Sequence, residues 1–335
     1  MAIQWFPGHM AKTRRLMTDN LKLVDVAIEL LDARLPGASH NPLIQELLGD
    51  MPRVLLLAKA DLAEEECTKA WLARFRKQGW GALACNLKGG NAKGERKAIT
   101  EAVGQQAKEV LAKRQRRGIS NPVIRVMVTG IPNVGKSTLI NLMAGRARTE
   151  TADRPGVTRG KQWIRLAQDL ELLDMPGILW PNLSDKEGAN KLAATGAIGE
   201  NAYDPGVLAL WLLAWLRQHR QGRIALRYGV DEWGKTGAVE EILSRLTKEQ
   251  ASLAPANKSL MLHDNDVDEE APDLLSRAVL EAIGKKRGFL RKGGIVESEK
   301  AAVMLLDELR AGHLGRITWD DPEKRGIEDG EEIPG

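Results

Sequence analysis

Gly130-Ile131-Pro132-Asn133-Val134-Gly135-Lys136-Ser137 sets two glycines, a lysine and a hydroxyl at the spacing GxxxxGK[ST]. The glycines let backbone N–H groups wrap an anion, Lys136 supplies a cation for outer phosphate oxygens, and the Ser137 hydroxyl can reach Mg2+. An apolar run, Val123 to Thr129, precedes the loop and a helical pattern, Lys136 to Ala144, follows it. That strand-loop-helix context marks a nucleotide phosphate loop, with Asn133, Val134, Gly135, Lys136, Ser137 and Thr138 as the binding residues.

Two further segments supply what phosphate chemistry needs. Asp174-Met175-Pro176-Gly177 follows the apolar run Leu170 to Leu173, where a carboxylate can stand near Mg2+ and a glycine N–H can meet the γ-phosphate. Upstream, Pro155 to Gly160 offers Thr158, whose hydroxyl and carbonyl can close on Mg2+ and the same phosphate. Ser137, Thr158 and, from one layer further out, Asp174 are thus the expected metal-site residues, with a nucleoside triphosphate and Mg2+ as ligand and cofactor.

The base is read elsewhere. Lys59-Ala60-Asp61, at the end of the run Val54 to Ala58, matches the KxD part of a guanine-recognition element. A carboxylate there accepts from two nitrogens of guanine, a pair that adenine does not offer, and the wrong base leaves the carboxylate unpaired. Ala58 stands where that element usually has Asn, which removes a hydrogen bond that braces the loop. Ala84-Cys85-Asn86 falls where a second base loop belongs, so Cys85 and Asn86 join the expected site.

Five buried-strand patterns, Val24 to Leu31, Val54 to Ala58, Ala82 to Cys85, Val123 to Thr129 and Leu170 to Leu173, alternate with helical stretches. The alternation predicts an α/β doubly wound sheet covered on both faces. After Leu183 the strand pattern fades, and Val207 to Gln218, Ala238 to Leu246, Asp273 to Ile283 and Ser298 to Ala311 read as helices. The expected organisation is therefore a nucleotide-binding domain over 1–183, a smaller helical domain over 184–319, and an acidic, disordered tail over 320–335.

The chain has 335 residues, 28% charged and 43% hydrophobic, a globular balance with a net charge of only +4. No apolar run approaches the roughly 20 residues that span a bilayer, the start lacks a secretion signal, and two cysteines do not make a disulfide scaffold. A cytoplasmic location with no membrane partner is expected. Basic charge gathers in Lys88 to Arg117 and in Lys285 to Lys292, five basic residues in eight. Lys285, Lys286, Arg287, Arg291 and Lys292 are the candidate RNA phosphate contacts. His40, His219, His263 and His313 are isolated along the chain and read as ordinary surface or packing residues.

In an ordinary GTPase the base element follows the phosphate loop; here it precedes it. That order, with Trp5-Phe6-Pro7-Gly8-His9-Met10, Asp32-Ala33-Arg34-Leu35-Pro36, Gly177-Ile178-Leu179-Trp180-Pro181, Arg287 to Gly294 and Gly312 to Arg316, resembles the circularly permuted YlqF/RbgA family of ribosome-assembly GTPases over almost the whole chain. The resemblance implies a GTPase that binds the immature large ribosomal subunit and its rRNA, promotes late maturation and leaves after hydrolysis, working as a monomer.

Ile178 occupies the place where many GTPases carry the Gln that orients water, and the resemblance gives that task to His9, beside Lys136 and Gly177. By similarity to potassium-dependent GTPases, Asn133 is also a candidate K+ contact. Two rival readings remain at this stage: a P-loop kinase of a small molecule, and an RNA-binding module that does not hydrolyse nucleotide.

Overall fold

The computed structural model describes residues 7–118, 123–145, 162–166, 170–175, 186–253 and 273–322, with the side chains of 7–13, 162 and 251–253 excepted. Its centre is a six-stranded sheet: β1 (Val26–Asp32), β2 (Arg53–Ala58), β3 (Gly81–Cys85), β4 (Ile124–Gly130), β5 (Gln162–Arg165) and β6 (Leu170–Asp174). The spatial order is β3-β2-β1-β4-β6-β5, parallel except for the β5–β6 pair. Counted instead from β4 as first strand, the order becomes 6-5-4-1-3-2. This is a doubly wound sheet whose chain has been cut in another loop, as a permutation requires.

Every residue of β1 and β2 is buried, which is the pattern of parallel strands covered on both faces. On one face Leu31, Leu55, Leu57 and Ala82 pack with Trp71 and Phe75 of the helix Glu65–Lys77, while Ala27, Met127 and Leu173 pack with Met17, Ile44 and Leu48. The helices Ala92–Gln106 and Lys136–Ala144 lie against the sheet as well. Caps set several starts: Asn41 accepts from the Leu43 N–H beside Pro42, and Asp204 accepts from the N–H groups of Gly206 and Val207.

The strand patterns expected from sequence are all present, and β5 is an addition. Its four residues form an antiparallel edge with Trp163 exposed, Arg165 half-buried and Ile164 buried, too short and too polar a pattern to stand out. The helices Lys186–Ala194 and Arg223–Tyr228 are likewise short additions.

The chain divides into two compact units at positions other than those expected. One comprises Ala2–Leu192, Ala197–Gly199 and Arg316–Gly335; the other comprises Ala193–Gly196 and Glu200–Gly315. The second unit is helical, built from Pro205–His219, Arg223–Tyr228, Gly237–Leu253, Leu274–Lys286 and Ser298–Arg310. Residues 320–322, expected within a disordered tail, are ordered against the sheet unit, where Asp320 is buried. Polar composition alone did not separate this anchored start from the acidic remainder, which lies outside the described residues.

Candidate nucleotide site

Strand register brings the motifs to one edge. Asp32 pairs with Ala58 and Ala58 with Cys85, Leu30 pairs with Gly130, and Val128 pairs with Asp174. The segments that leave β1, β2, β3 and β4, together with the last residue of β6, therefore share the carboxyl-terminal edge of the sheet, where open α/β sheets bind ligands.

The phosphate loop has the backbone its sequence demands. Gly130 (φ +143) and Gly135 (φ +117) adopt left-handed conformations, and Asn133 (φ 54) is one of two non-glycine residues among those described that do so. A Cβ on Gly130 would lie 2.5 Å from the carbonyl oxygen of Leu30, so strand pairing itself excludes a side chain there. Gly135 caps the helix Lys136–Ala144, whose first turn presents Ser137 and Thr138 half-buried. Val134 is buried beneath the loop.

Lys136 is buried, and its ammonium donates to the carbonyl oxygens of Gly130 at 3.2 Å and Ile131 at 2.8 Å. Burial pushes its pKa down to about 8, against the opposing pull of Asp174. A polyphosphate seated in the loop would offset that penalty by placing negative charge beside the ammonium. Asp174 is itself buried at the end of β6, so the lysine, the carboxylate and the Ser137 hydroxyl form a donor set suited to a Mg2+–phosphate group.

At the base-recognition end, Ala58 is buried at the end of β2 and Lys59 turns left-handed (φ 59) into a short 3-10 helix, Ala60–Leu62. Asp61 is exposed at the start of that turn. The Lys59 ammonium donates to Oδ2 of Asp32 at 3.0 Å, and Asp32 is gripped by Arg34 through Nε at 2.9 Å and a terminal nitrogen at 2.7 Å. Burial works to raise the Asp32 pKa, but Arg34 and then Lys59 overcome it and hold the carboxylate well below its ordinary value. Burial depresses Lys59.

Cys85 is buried, with its thiol toward the Leu57 carbonyl at 3.7 Å. Burial first, then Glu95 and Asp61, push its pKa up to about 12. Asn86 donates its backbone N–H to Glu95 at 3.2 Å, and its side-chain oxygen accepts from the Lys88 N–H at 3.2 Å. Its carboxamide thus shapes its own turn. Leu87 of that turn would touch a Cβ on Gly135 at 3.3 Å, which places the base and phosphate loops side by side.

His9 falls in the helix Pro7–Leu21, but its side chain lies outside the described residues, as do Thr158 and Gly177. In the sequence Asp32 and Arg34 stand only as part of the Asp32-Ala33-Arg34-Leu35-Pro36 motif. Their role follows from an i, i+2 pair at the end of a strand beside a lysine on the next, a signal that needs the register to be read. His40 is a packing residue, as read, with a partner the sequence does not show: it is buried, its Nδ1 lies 3.0 Å from Oε1 of the equally buried Glu29, and Phe75 and Trp80 meet its ring edge-on. Chain separation hid this pairing.

In the helical unit, Lys285 and Lys286 end the helix Leu274–Lys286 and Arg287 caps it. Arg287 is engaged with Glu308 at 3.1 Å and lies over the Tyr228 ring, Lys286 donates to the Gly229 carbonyl at 2.9 Å, and Arg291 pairs with Glu297 at 3.4 Å. Lys285 and Lys292 are exposed and have no ion pair among the described residues. The basic cluster is thus partly spent on internal pairs.

Residues 125–209 match the family described as 50S ribosome-binding GTPase. Over 335 residues the chain is 39% identical to the ribosome biogenesis GTPase A of Bacillus cereus, covering 99% of each. It is 36% identical to the mitochondrial ribosome-associated GTPase 1 of Xenopus tropicalis over 253 residues, which span 72% of this chain and 78% of that one. Among solved structures, GNP-bound YlqF from T. maritima matches with a TM-score of 0.54 at 24% identity, covering 93% of this chain and 99% of that one, a likeness of fold.

Proposed function

Because the chain belongs to the ribosome biogenesis GTPase A family, we propose that it is a GTP-hydrolysing factor that acts on the immature large ribosomal subunit and leaves it after hydrolysis. The observation that carries this reading is the shared sheet edge. A KxD turn after β2 and a phosphate loop after β4 stand there together, with Leu87 between base and phosphate ends.

In this reading Asp61 accepts from guanine, the Lys59 stem covers the ring, and Cys85 and Asn86 border it. The N–H groups of Asn133 to Thr138 and the ammonium of Lys136 hold the phosphates, which keeps charge neutralised where it develops. Ser137 and Thr158 would hold Mg2+, with Asp174 oriented behind them; the ion would supply positive charge to the β and γ oxygens. Gly177 donates its N–H to the γ-phosphate, His9 orients water, and Asn133 contacts K+. Lys285 and Lys292, the two free charges of the basic cluster, lead the contacts to rRNA, supported by Lys286, Arg287 and Arg291. In this reading the chain works as a monomer in the cytoplasm; among the described residues no helix is long and apolar enough to cross a membrane.

The test is GTP turnover in potassium buffer, with and without purified large ribosomal subunits, and with ATP as control. Stimulation by subunits that is specific to GTP is expected, and its dependence on K+ over Na+ tests Asn133. His9→Ala should lower the stimulated rate with GTP affinity intact. Turnover of ATP on a small acceptor would overturn the reading in favour of a kinase, and RNA binding without any hydrolysis would leave only a binding module.

A further inference from the structure

The described chain does not end with the helical unit. Residues 316–322 run along the sheet unit, with Ile317, Thr318, Trp319 and Asp320 all buried. The Ile317 N–H donates to the Leu62 carbonyl at 3.0 Å, and the Trp319 N–H donates to the Arg34 carbonyl at 2.7 Å. Thr318 accepts from the Glu64 N–H through Oγ1 at 2.9 Å. Asp320 accepts from the Ala38 N–H at 2.6 Å and faces Lys191 at 3.5 Å, while its carbonyl takes the indole N–H of Trp71 at 3.0 Å.

These anchors are not scattered. Leu62 follows Asp61 directly, and Glu64 stands two positions further on. Arg34 is the residue that grips Asp32, and Asp32 holds the Lys59 ammonium. The strap therefore grasps the base-recognition turn from behind at one point and the Asp32–Arg34 clamp at another. Ala58 supplies no side-chain hydrogen bond to this turn, and Lys59 sits in a left-handed conformation that a β-carbon disfavours, so the turn needs external support.

We propose that the segment Arg316–Asp321 is a structural part of the guanine site, a brace that positions Lys59 and Asp61 through Leu62, Glu64, Arg34 and Asp32 in place of the missing carboxamide at 58. Asp320 and Thr318 are its positioning residues. Neither is one of the expected nucleotide contacts; they act on where the reading groups stand. The inference rests on the guanine site proposed above.

The test uses the full chain with Asp320→Ala and, as a gentler variant, Thr318→Val. Calorimetry gives site occupancy and the affinities for GDP, IDP, ADP and magnesium pyrophosphate. IDP lacks the exocyclic amine that Asp61 would accept from, so the GDP:IDP ratio reports the placement of that carboxylate. The expected result is a loss of GDP affinity of roughly 5- to 20-fold, the scale of one or two lost buried hydrogen bonds. The GDP:IDP ratio should fall with it while pyrophosphate affinity is retained. Asp320→Asn, which keeps an acceptor for Ala38, should recover most of the ratio. Unchanged GDP affinity and ratio in folded variants would overturn the brace, as would a parallel fall for GDP and pyrophosphate. A wild-type chain that prefers GDP no more than ADP would remove the guanine site itself, and a normal wild-type preference keeps the two failures apart.

Discussion

The ammonium of Lys136 sits 2.8 Å from the carbonyl oxygen of Ile131, folded back onto the loop that should hold phosphate. Burial lowers its pKa to about 8 from an ordinary 10.5, so between those values the unfolded chain binds a proton that the folded chain does not. Stability of the nucleotide-free protein should therefore rise with pH across that window. Phosphate binding runs the other way, because the bound anion requires the protonated lysine. GDP affinity should be flat from about pH 6.5 to 7.5 and weaken by up to about tenfold per pH step above 8. Lys136→Met should bind far more weakly with no such slope, and an equally steep decline in that variant would assign the titration to another group.

Asp32 is the keystone of the base end. Asp32→Ala would remove the carboxylate that the guanidinium of Arg34, almost wholly buried, meets at 2.7 Å. Removing one member of a buried ion pair costs about 3–5 kcal/mol, and urea unfolding at pH 7 should read a loss of that order. Since the folded carboxyl is held well below 3.8, its contribution is complete above that value and fades as pH falls beneath it. The gap in melting temperature between wild type and Asp32→Asn should therefore narrow below about pH 4. A gap that stays constant would mean that the clamp does not depend on charge.

Much of this site was legible in the chain because its chemistry is local. A phosphate loop is eight consecutive residues flanked by a strand and a helix, and the helix Lys136–Ala144 occupies the range that its pattern predicts. What sequence withheld is what folding brings from afar. His40 meets Glu29 across a turn, Arg114 meets Asp25 from a distant helix, and Asp320 reaches Ala38 from the far end of the chain. An acidic, proline-bearing tail reads as solvated until the buried Asp320 shows that its first residue is anchored.

The two cysteines should separate cleanly in reactivity. Burial, Glu95 and Asp61 hold the Cys85 thiol near 12, so almost no thiolate exists there at neutral pH, while Cys67 is partly exposed on the helix Glu65–Lys77. Iodoacetamide at pH 7.5 followed by mass spectrometry should label Cys67 alone in the folded chain and both residues in urea. Early labelling of Cys85 would mean that the base end of the sheet opens readily, and GDP should then slow that labelling.

Glu308 anchors the helical unit as Asp32 anchors the sheet edge. Arg227 meets both of its oxygens at 2.7 and 2.9 Å, the Tyr228 hydroxyl donates at 2.8 Å, and Arg287 approaches at 3.1 Å. The Arg227 bonds, against burial and with help from Tyr228 and Arg287, lower the carboxyl from 4.5 to about 2. A depressed carboxyl stabilises above its unfolded value, so this contribution should be intact above about pH 4.5 and lost on the way to pH 2. Arg227 is about a third exposed, so solvent screening keeps the effect well below what the shift alone would suggest. Glu308→Gln should melt a few degrees lower at pH 7, with the difference shrinking through the acid limb. Because Arg287 would then be released toward solvent, the same variant should bind rRNA no worse than wild type; weaker binding would instead show that the network holds the basic helix end in its binding pose.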